Sequence, residues 1–267
     1  MSNPDHINYA HEFGIHSLPA AIIFAILYTP LFGWFIRQSF ARPTYVYFVL
    51  TFFCAIRITA FGIRAALAGL DSAGETLSLL IADEILSGVG FFGLLYSAYT
   101  LVLDLEQLTD RPALTNPLLR ITRNRHVFRA VLMTAVILGI VSATNTNADG
   151  STSATSKSLH NVSTIIFLVL TIVQAFQTLI LVRMEFAEKS TYKRSNESFG
   201  AQNAMPILLL VSLLLLVREA FTTATINNGR KQNTEHLWYP LIALPEIAAV
   251  ILYATPGLVP RRDELPT

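Results

Sequence analysis

Residues 44–70 read TYVYFVLTFFCAIRITAFGIRAALAGL, and this stretch decides the fold. Only Arg57 and Arg64 carry a charge in it. A helix rises about 1.5 Å per residue, so this run is long enough to cross hydrocarbon about 30 Å thick. Backbone groups must pair within the segment there, and an unbroken apolar run does so as a helix. The stretch therefore predicts a transmembrane helix.

The rest of the chain repeats this pattern between short polar segments. It has 267 residues, of which 52% are hydrophobic and 14% charged, and its mean hydropathy is +0.50. Soluble domains carry about 25% charged residues, so a membrane protein is favoured. The sequence predicts an all-α integral membrane bundle of about seven transmembrane helices, in the plasma membrane or an endomembrane, with membrane lipids as partners. The predicted spans are 18–36, 44–70, 77–103, 127–144, 162–182, 205–225 and 237–253.

Basic residues are concentrated in alternate connections, which predicts the orientation. Residues 1–17 contain no Lys or Arg, whereas the segments after the first, third and fifth spans carry several basic residues, which are all Arg in the first two and both Arg and Lys in the third. We therefore expect 1–17 to be an outer tail, 18–257 the transmembrane domain and 258–267 a cytosolic tail. Arg230 and Lys231, which follow the sixth span, are the one exception, because this orientation places them on the outer side. The polar stretch 145–157, NTNADGSTSATSK, predicts a flexible outer loop.

Seven ionisable residues interrupt the apolar spans and are the candidate binding site. Each costs roughly 2.5–3.5 kcal/mol to insert, so such residues normally face the bundle interior and find partners. From the helical rise, six of them fall about 9–13 Å below the outer ends of their spans, and Arg57 lies near 20 Å. They form one polar layer in the outer half of the bilayer, consisting of Arg57, Arg64, Asp83, Glu84, Arg218, Glu219 and Glu246.

Two interpretations of this layer stay open, and they can coexist. The first is an outward-facing polar cavity that binds an amphipathic small molecule, with the arginines at an anionic headgroup and the carboxylates orienting them or relaying protons. The second is a set of buried ion pairs that fix helix order, such as Arg64 with Asp83 or Glu84. Three cations against four anions leave one carboxylate that is protonated or that awaits a cationic ligand.

No cofactor, metal or nucleic-acid partner is expected. None of the six histidines lies deep in a predicted span, the last span has no Lys for a retinal Schiff base, and net charge is only +1. A phosphate-binding glycine loop is also missing from the sequence. Trp238 and Tyr239 sit where an interfacial aromatic belt is expected.

The closing segment resembles a known family. Its Glu235-His236-Leu237-Trp238-Tyr239, followed by Pro245 and Pro256-Gly257, is similar to the last helix of the fungal RTA-like seven-helix family. Leu216-Val217-Arg218 resembles that family's sixth helix. Together with Arg57-Ile58, Gly62 and Glu246, it also resembles a related uncharacterised fungal seven-helix family. The RTA-like family is described as lipid-translocating exporters and stress-resistance proteins, so the resemblance implies lipid handling.

Three functions follow as hypotheses. The first is binding or translocation of a lipid-like or amphipathic small molecule. The second is a receptor-like protein that signals through the basic segments 111–129 and 183–194. The third is a membrane-embedded carboxylate-dependent enzyme such as a terpene cyclase, in which Glu84, Glu219 and Glu246 would serve as proton donors. Oligomeric state is not predicted by the sequence.

Overall fold

Seven long apolar helices form the protein, which confirms the predicted all-α membrane bundle. The structure is a computed structural model, and it describes residues 8–108, 124–145, 153–188 and 198–260. Within those ranges there is no β-strand. In the part of the chain that the structure describes, four short helices lie outside the spans, at Tyr9–Glu12, Asp71–Gly74, Phe199–Gln202 and Gly229–Asn233. The long helices are α1 Leu18–Ala41, α2 Tyr45–Gly69, α3 Leu77–Leu108, α4 Arg125–Thr144, α5 Ala154–Glu188, α6 Ala204–Ala224 and α7 Glu235–Tyr253.

Local sequence signals set several helix ends. The Ser17 hydroxyl accepts a hydrogen bond from the Ala20 backbone N–H and caps α1. The Asn124 side chain caps α4 in the same way, through the backbone N–H groups of His126 and Val127. These side chains satisfy donors that have no partner within the first helical turn.

Consecutive helices pack against each other, and α7 returns to contact α1. The central helix is α3, which contacts α2, α4, α5 and α6 and is buried almost continuously from Gly90 to Asp104. Seven passes place the start of α1 and the end of α7 on opposite sides, called here the N-terminal side and the C-terminal side. Which of them faces the cytosol stays a prediction.

Packing is tightest toward the C-terminal side, where large aromatic side chains are buried. The rings of Tyr99 on α3 and Phe128 on α4 stack in parallel with 3.6 Å between their centroids. At the same end, Arg125 of α4 contacts Asp104 of α3 at 2.6 Å. These contacts hold α3 and α4 together at one end of the bundle.

The fifth helix starts earlier than the sequence predicted. It begins at Ala154 rather than at residue 162, so the end of the predicted outer loop 145–157 is helical. The reason is hydrogen bonding between helices. The Ser142 hydroxyl donates to the Ser156 carbonyl at 2.7 Å, and the Ser156 hydroxyl donates to the Ser142 carbonyl at 2.6 Å. Small polar side chains thus join α4 to α5, which hydropathy alone does not detect. Residues 146–152 lie outside the described ranges.

The seventh helix contains a wide π-helical turn at Tyr239–Ala243, between α-helical segments Glu235–Trp238 and Leu244–Tyr253. The Leu244 N–H donates to the carbonyl of Tyr239, five residues back. Pro245 lacks an N–H, and in a regular α-helix its ring would crowd the carbonyl of Leu241. A wider turn relieves that crowding and changes the direction of every later side chain.

Candidate functional site

Two buried arginines on α2 anchor the polar layer. Arg57 and Arg64 are seven residues apart, which is close to two helical turns, so both lie on one face of the helix. Their exposed fractions are only 2% and 1%. A guanidinium cannot be deprotonated in this setting, so each needs carboxylates or carbonyls from neighbouring helices.

Arg57 belongs to a buried network of two arginines and two glutamates. Its Nη2 donates to Glu246 Oε1 at 2.6 Å and to the Ser87 carbonyl at 3.2 Å. The same Glu246 oxygen accepts from Arg218 Nε at 3.2 Å, and Arg218 Nη1 donates to Glu219 Oε2 at 2.6 Å. The network thus joins α2, α3, α6 and α7, and its formal charges cancel.

Arg64 forms a separate buried pair. Its Nη1 donates to Asp83 Oδ2 at 3.2 Å, and its Cζ lies 3.8 Å from the centre of the Trp238 ring. Of the two partners that the sequence suggested for Arg64, the structure pairs it with Asp83. Arg64 Nε and Nη2 are buried and make no hydrogen bond to the described residues. Both atoms are closed off from solvent, and the Tyr239 ring lies on the same guanidinium, with its centre 5.9 Å from the Arg64 Cζ.

A cavity of about 450 Å³ opens above these groups on the N-terminal side. Its walls come from the first half of α3, the second half of α4, the first half of α5, the end of α6 and the start of α7. Phe13, from the segment before α1, also lines it. Small-molecule sites typically enclose about 300–1,000 Å³, so the volume suits a ligand. The charged lining consists of Arg64, Asp83, Glu84, Lys157, Arg218 and Glu219.

Apolar side chains form much of the remaining wall. Ile81 and Ile85 of α3 line the cavity, as do Val136 and Ile140 of α4. Phe91 and Phe167 line it as well, and their rings meet edge to face at 5.6 Å. The cavity therefore combines charged groups with an apolar surface, which suits an amphipathic molecule.

Residues 7–263 match a family described as a domain of unknown function, DUF7702. The chain belongs to the DUF7702 family. No curated protein and no solved structure matches it. The family match names no activity, so the function of this DUF7702 protein must be argued from its site.

Five of the seven predicted site residues line the cavity of the DUF7702 protein. Arg57 and Glu246 do not line the cavity. They contact each other behind Arg218, which also contacts Glu246, and Arg57 donates to the Ser87 carbonyl. The greater depth predicted for Arg57 agrees with this position. The five lining residues are Arg64, Asp83, Glu84, Arg218 and Glu219.

Two site residues were missed from the sequence. Trp238 was assigned to an interfacial belt, and this is wrong because its side chain is only 6% exposed and stacks over Arg64. The only sequence signal for the contact between Trp238 and Arg64 was the pair of arginines on one face of α2, because a buried guanidinium favours an aromatic neighbour. His160 was expected only not to lie deep in a span and was given no role, but the early start of α5 brings its Nδ1 to 4.0 Å from Glu84 Oε1.

Other predictions of the sequence fall largely outside the described residues. These are 111–123 and 189–194 of the proposed signalling segments, residues 1–7 of the N-terminal tail and residues 261–267 of the C-terminal tail. In the ranges that the structure describes, no three His, Cys, Asp or Glu side chains come together as metal ligands.

Proposed function

We propose that this DUF7702 protein binds a lipid-like or amphipathic small molecule in the cavity on its N-terminal side. The observation that carries the proposal is Arg64. It lines a cavity of about 450 Å³ and keeps two buried N–H donors without a hydrogen-bond partner in the described residues. Buried donors of this kind cost free energy unless something accepts from them. A ligand oxygen would satisfy them once the Arg64 guanidinium turns toward the cavity, because both atoms are closed off from solvent in the structure.

The wall opposite these donors supports the amphipathic character of the ligand. Apolar surface along α3 and α4 comes from Ile81, Ile85, Val136 and Ile140. At their other ends the same two helices are joined by the stacked rings of Tyr99 and Phe128. Ionisable residues within membrane spans commonly mark a substrate pathway. A polar headgroup would lie near Arg64 and a hydrocarbon chain along the apolar wall.

Translocation would require one further step. Arg218 and Glu219 lie at the cavity surface, and Arg57 and Glu246 stand behind them. Passage of the bound molecule toward the C-terminal side would therefore separate charged groups that now contact one another at 2.6–3.2 Å. Binding comes first in this proposal, and transport would follow from opening of the network.

Gly88 provides a direct test, because a Cβ placed there meets no atom within 4 Å and Gly88 lines the cavity. Gly88→Phe would fill the cavity without disturbing its walls. Gly62→Phe is the matched control, since Gly62 also has open space and is exposed on the outer face of α2. The measurement is mass spectrometry of lipids and metabolites that co-purify with each variant.

We expect one class of amphiphile to be enriched with wild type and with Gly62→Phe. Its recovery should fall on the order of tenfold with Gly88→Phe, which corresponds to about 1.4 kcal/mol of binding free energy. Equal recovery from three equally folded proteins would contradict the proposal.

A further inference from the structure

The charges around the cavity are unequally paired. Arg64 has Asp83 as its carboxylate, and Arg218 has both Glu219 and Glu246. Glu84 has no guanidinium partner among the described residues, and its nearest basic atom is His160 Nδ1 at 4.0 Å. The Glu84 side chain is also 58% exposed and lines the cavity. The cavity thus presents a carboxylate that lacks a strong cationic partner.

Two facing helices build a slot beneath this carboxylate. Each contributes three cavity-lining residues at the spacing i, i+4, i+7, which places them along one helix face. The slot is closed at one end by the Glu84–His160 contact and at the other by the Phe91–Phe167 contact at 5.6 Å. The two rows are Glu84, Gly88 and Phe91 on α3, and His160, Thr164 and Phe167 on α5.

The aromatic end of the slot already accommodates a cation. Arg218 Cζ lies 4.0 Å from the centre of the Phe91 ring. Ring faces attract guanidinium and ammonium groups alike, and more strongly where water is excluded. Phe91 is fully buried and Arg218 covers its ring face, so the room for a ligand cation is the open space at Gly88, one helical turn from the Glu84 carboxylate.

We infer that the ligand is an amphiphile whose headgroup carries an ammonium group, with Glu84 as its counter-ion. This inference rests on the proposed function. The ammonium would lie in the slot between α3 and α5, and a neighbouring ligand oxygen would accept from Arg64 once that guanidinium turns toward the cavity. Long-chain amino alcohols and phospholipids with amine-bearing headgroups share this chemistry.

A purely anionic headgroup fits the same cavity less well. Every arginine at the polar layer already contacts a carboxylate, so an added anion would find no cation without a partner there. It would also lie near Glu84, whose negative charge repels it, with the repulsion weakened by water because that side chain is 58% exposed. Lys157, the other basic residue of the lining, is exposed at the cavity mouth, where water screens its charge.

The test uses the fluorescence of Trp238, which lines the cavity. The chain has two tryptophans, so Trp34→Phe makes Trp238 the sole reporter. The full chain in a non-ionic maltoside detergent is titrated with four single-chain probes of equal length. They are a long-chain amino alcohol, a lysophosphatidylcholine, a lysophosphatidylglycerol and a monoacylglycerol.

We expect the amino alcohol and the lysophosphatidylcholine to bind more tightly than the other two. Glu84→Gln in the reporter background should weaken their binding on the order of tenfold, while Glu84→Asp retains most of it. Glu106→Gln is the matched control, because Glu106 is on the same helix and does not line the cavity.

Equal affinities in Glu84→Gln and the reporter protein, or tightest binding of lysophosphatidylglycerol, would overturn the ammonium inference and leave the proposed function standing. A flat Trp238 signal with all probes, together with equal co-purification in Gly88→Phe, would overturn both. The relative affinity of the amino alcohol and the lysophosphatidylcholine identifies which ammonium-bearing class the slot prefers.

Discussion

Glu246→Gln tests how much the buried network contributes to stability. The two side chains have nearly the same volume, so the change removes a negative charge and leaves little new cavity. Glu246 Oε1 serves two arginines, at 2.6 Å and 3.2 Å. The glutamine amide oxygen can still accept one hydrogen bond, but Arg57 then has no carboxylate among the described residues, only neutral acceptors such as the Ser87 carbonyl at 3.2 Å and hydroxyl at 3.5 Å.

The expected cost follows from burial. Arg57 and Glu246 side chains are 3% and 2% exposed, and removing one partner of such a pair costs about 3–5 kcal/mol. Asp104→Asn is the matched control, because Asp104 also contacts its arginine, Arg125, at 2.6 Å, but that arginine is 38% exposed. Only Arg125 of this pair reaches solvent, since Asp104 is buried, so the control should cost more than the about 0.2–1 kcal/mol of an exposed pair but less than Glu246→Gln.

The assay is reversible unfolding in mixed micelles with an increasing fraction of denaturing detergent, followed by circular dichroism of the helices. Arg57→Met and the double variant complete a thermodynamic cycle. We expect a coupling free energy of about 1–3 kcal/mol between Arg57 and Glu246. Additive single effects, or equal losses in Glu246→Gln and Asp104→Asn, would refute the argument from burial.

Two further substitutions test the packing of the C-terminal side in the same assay. Gly200→Ala should cost about 1–3 kcal/mol, because the new Cβ would lie 2.5 Å from the Pro256 carbonyl oxygen. Gly33→Ala, whose Cβ meets nothing within 4 Å, should be neutral or stabilising, and equal effects would contradict the steric reasoning. Phe128→Ala should cost about 3–5 kcal/mol, because this ring is 4% exposed and stacks on Tyr99. A loss below about 1 kcal/mol would mean that this end repacks freely.

The fold could be predicted because a helix that crosses hydrocarbon needs a long apolar run, and such runs are visible in the sequence. All seven apolar runs became helices, and the errors are confined to their ends. The largest error is at α5, where residues 154–161 are too polar for a hydropathy window. Their helix depends on reciprocal bonds between Ser142 and Ser156, which only the arrangement of α4 against α5 brings together.

The composition of the polar layer was also predictable, since ionisable residues in apolar spans are rare and costly. Which of these residues contact one another could not be predicted. Depth along a helix can be estimated from the rise per residue, but the direction of Glu246 depends on the wide turn that precedes it. Neither the contact of Glu246 with Arg57 nor the stacking of Trp238 on Arg64 follows from spacing alone.

The wide turn in α7 sets how far the second half of that helix is rotated about the helix axis relative to the first half. A π turn holds about one residue more than an α turn, so it offsets everything downstream by about 100° around the helix axis. The first half directs Trp238 at Arg64, and the second directs Glu246 at Arg57. A continuous α-helix could satisfy only one of these targets at a time. The turn at Tyr239–Ala243 therefore lets a single helix serve both the cavity and the network behind it.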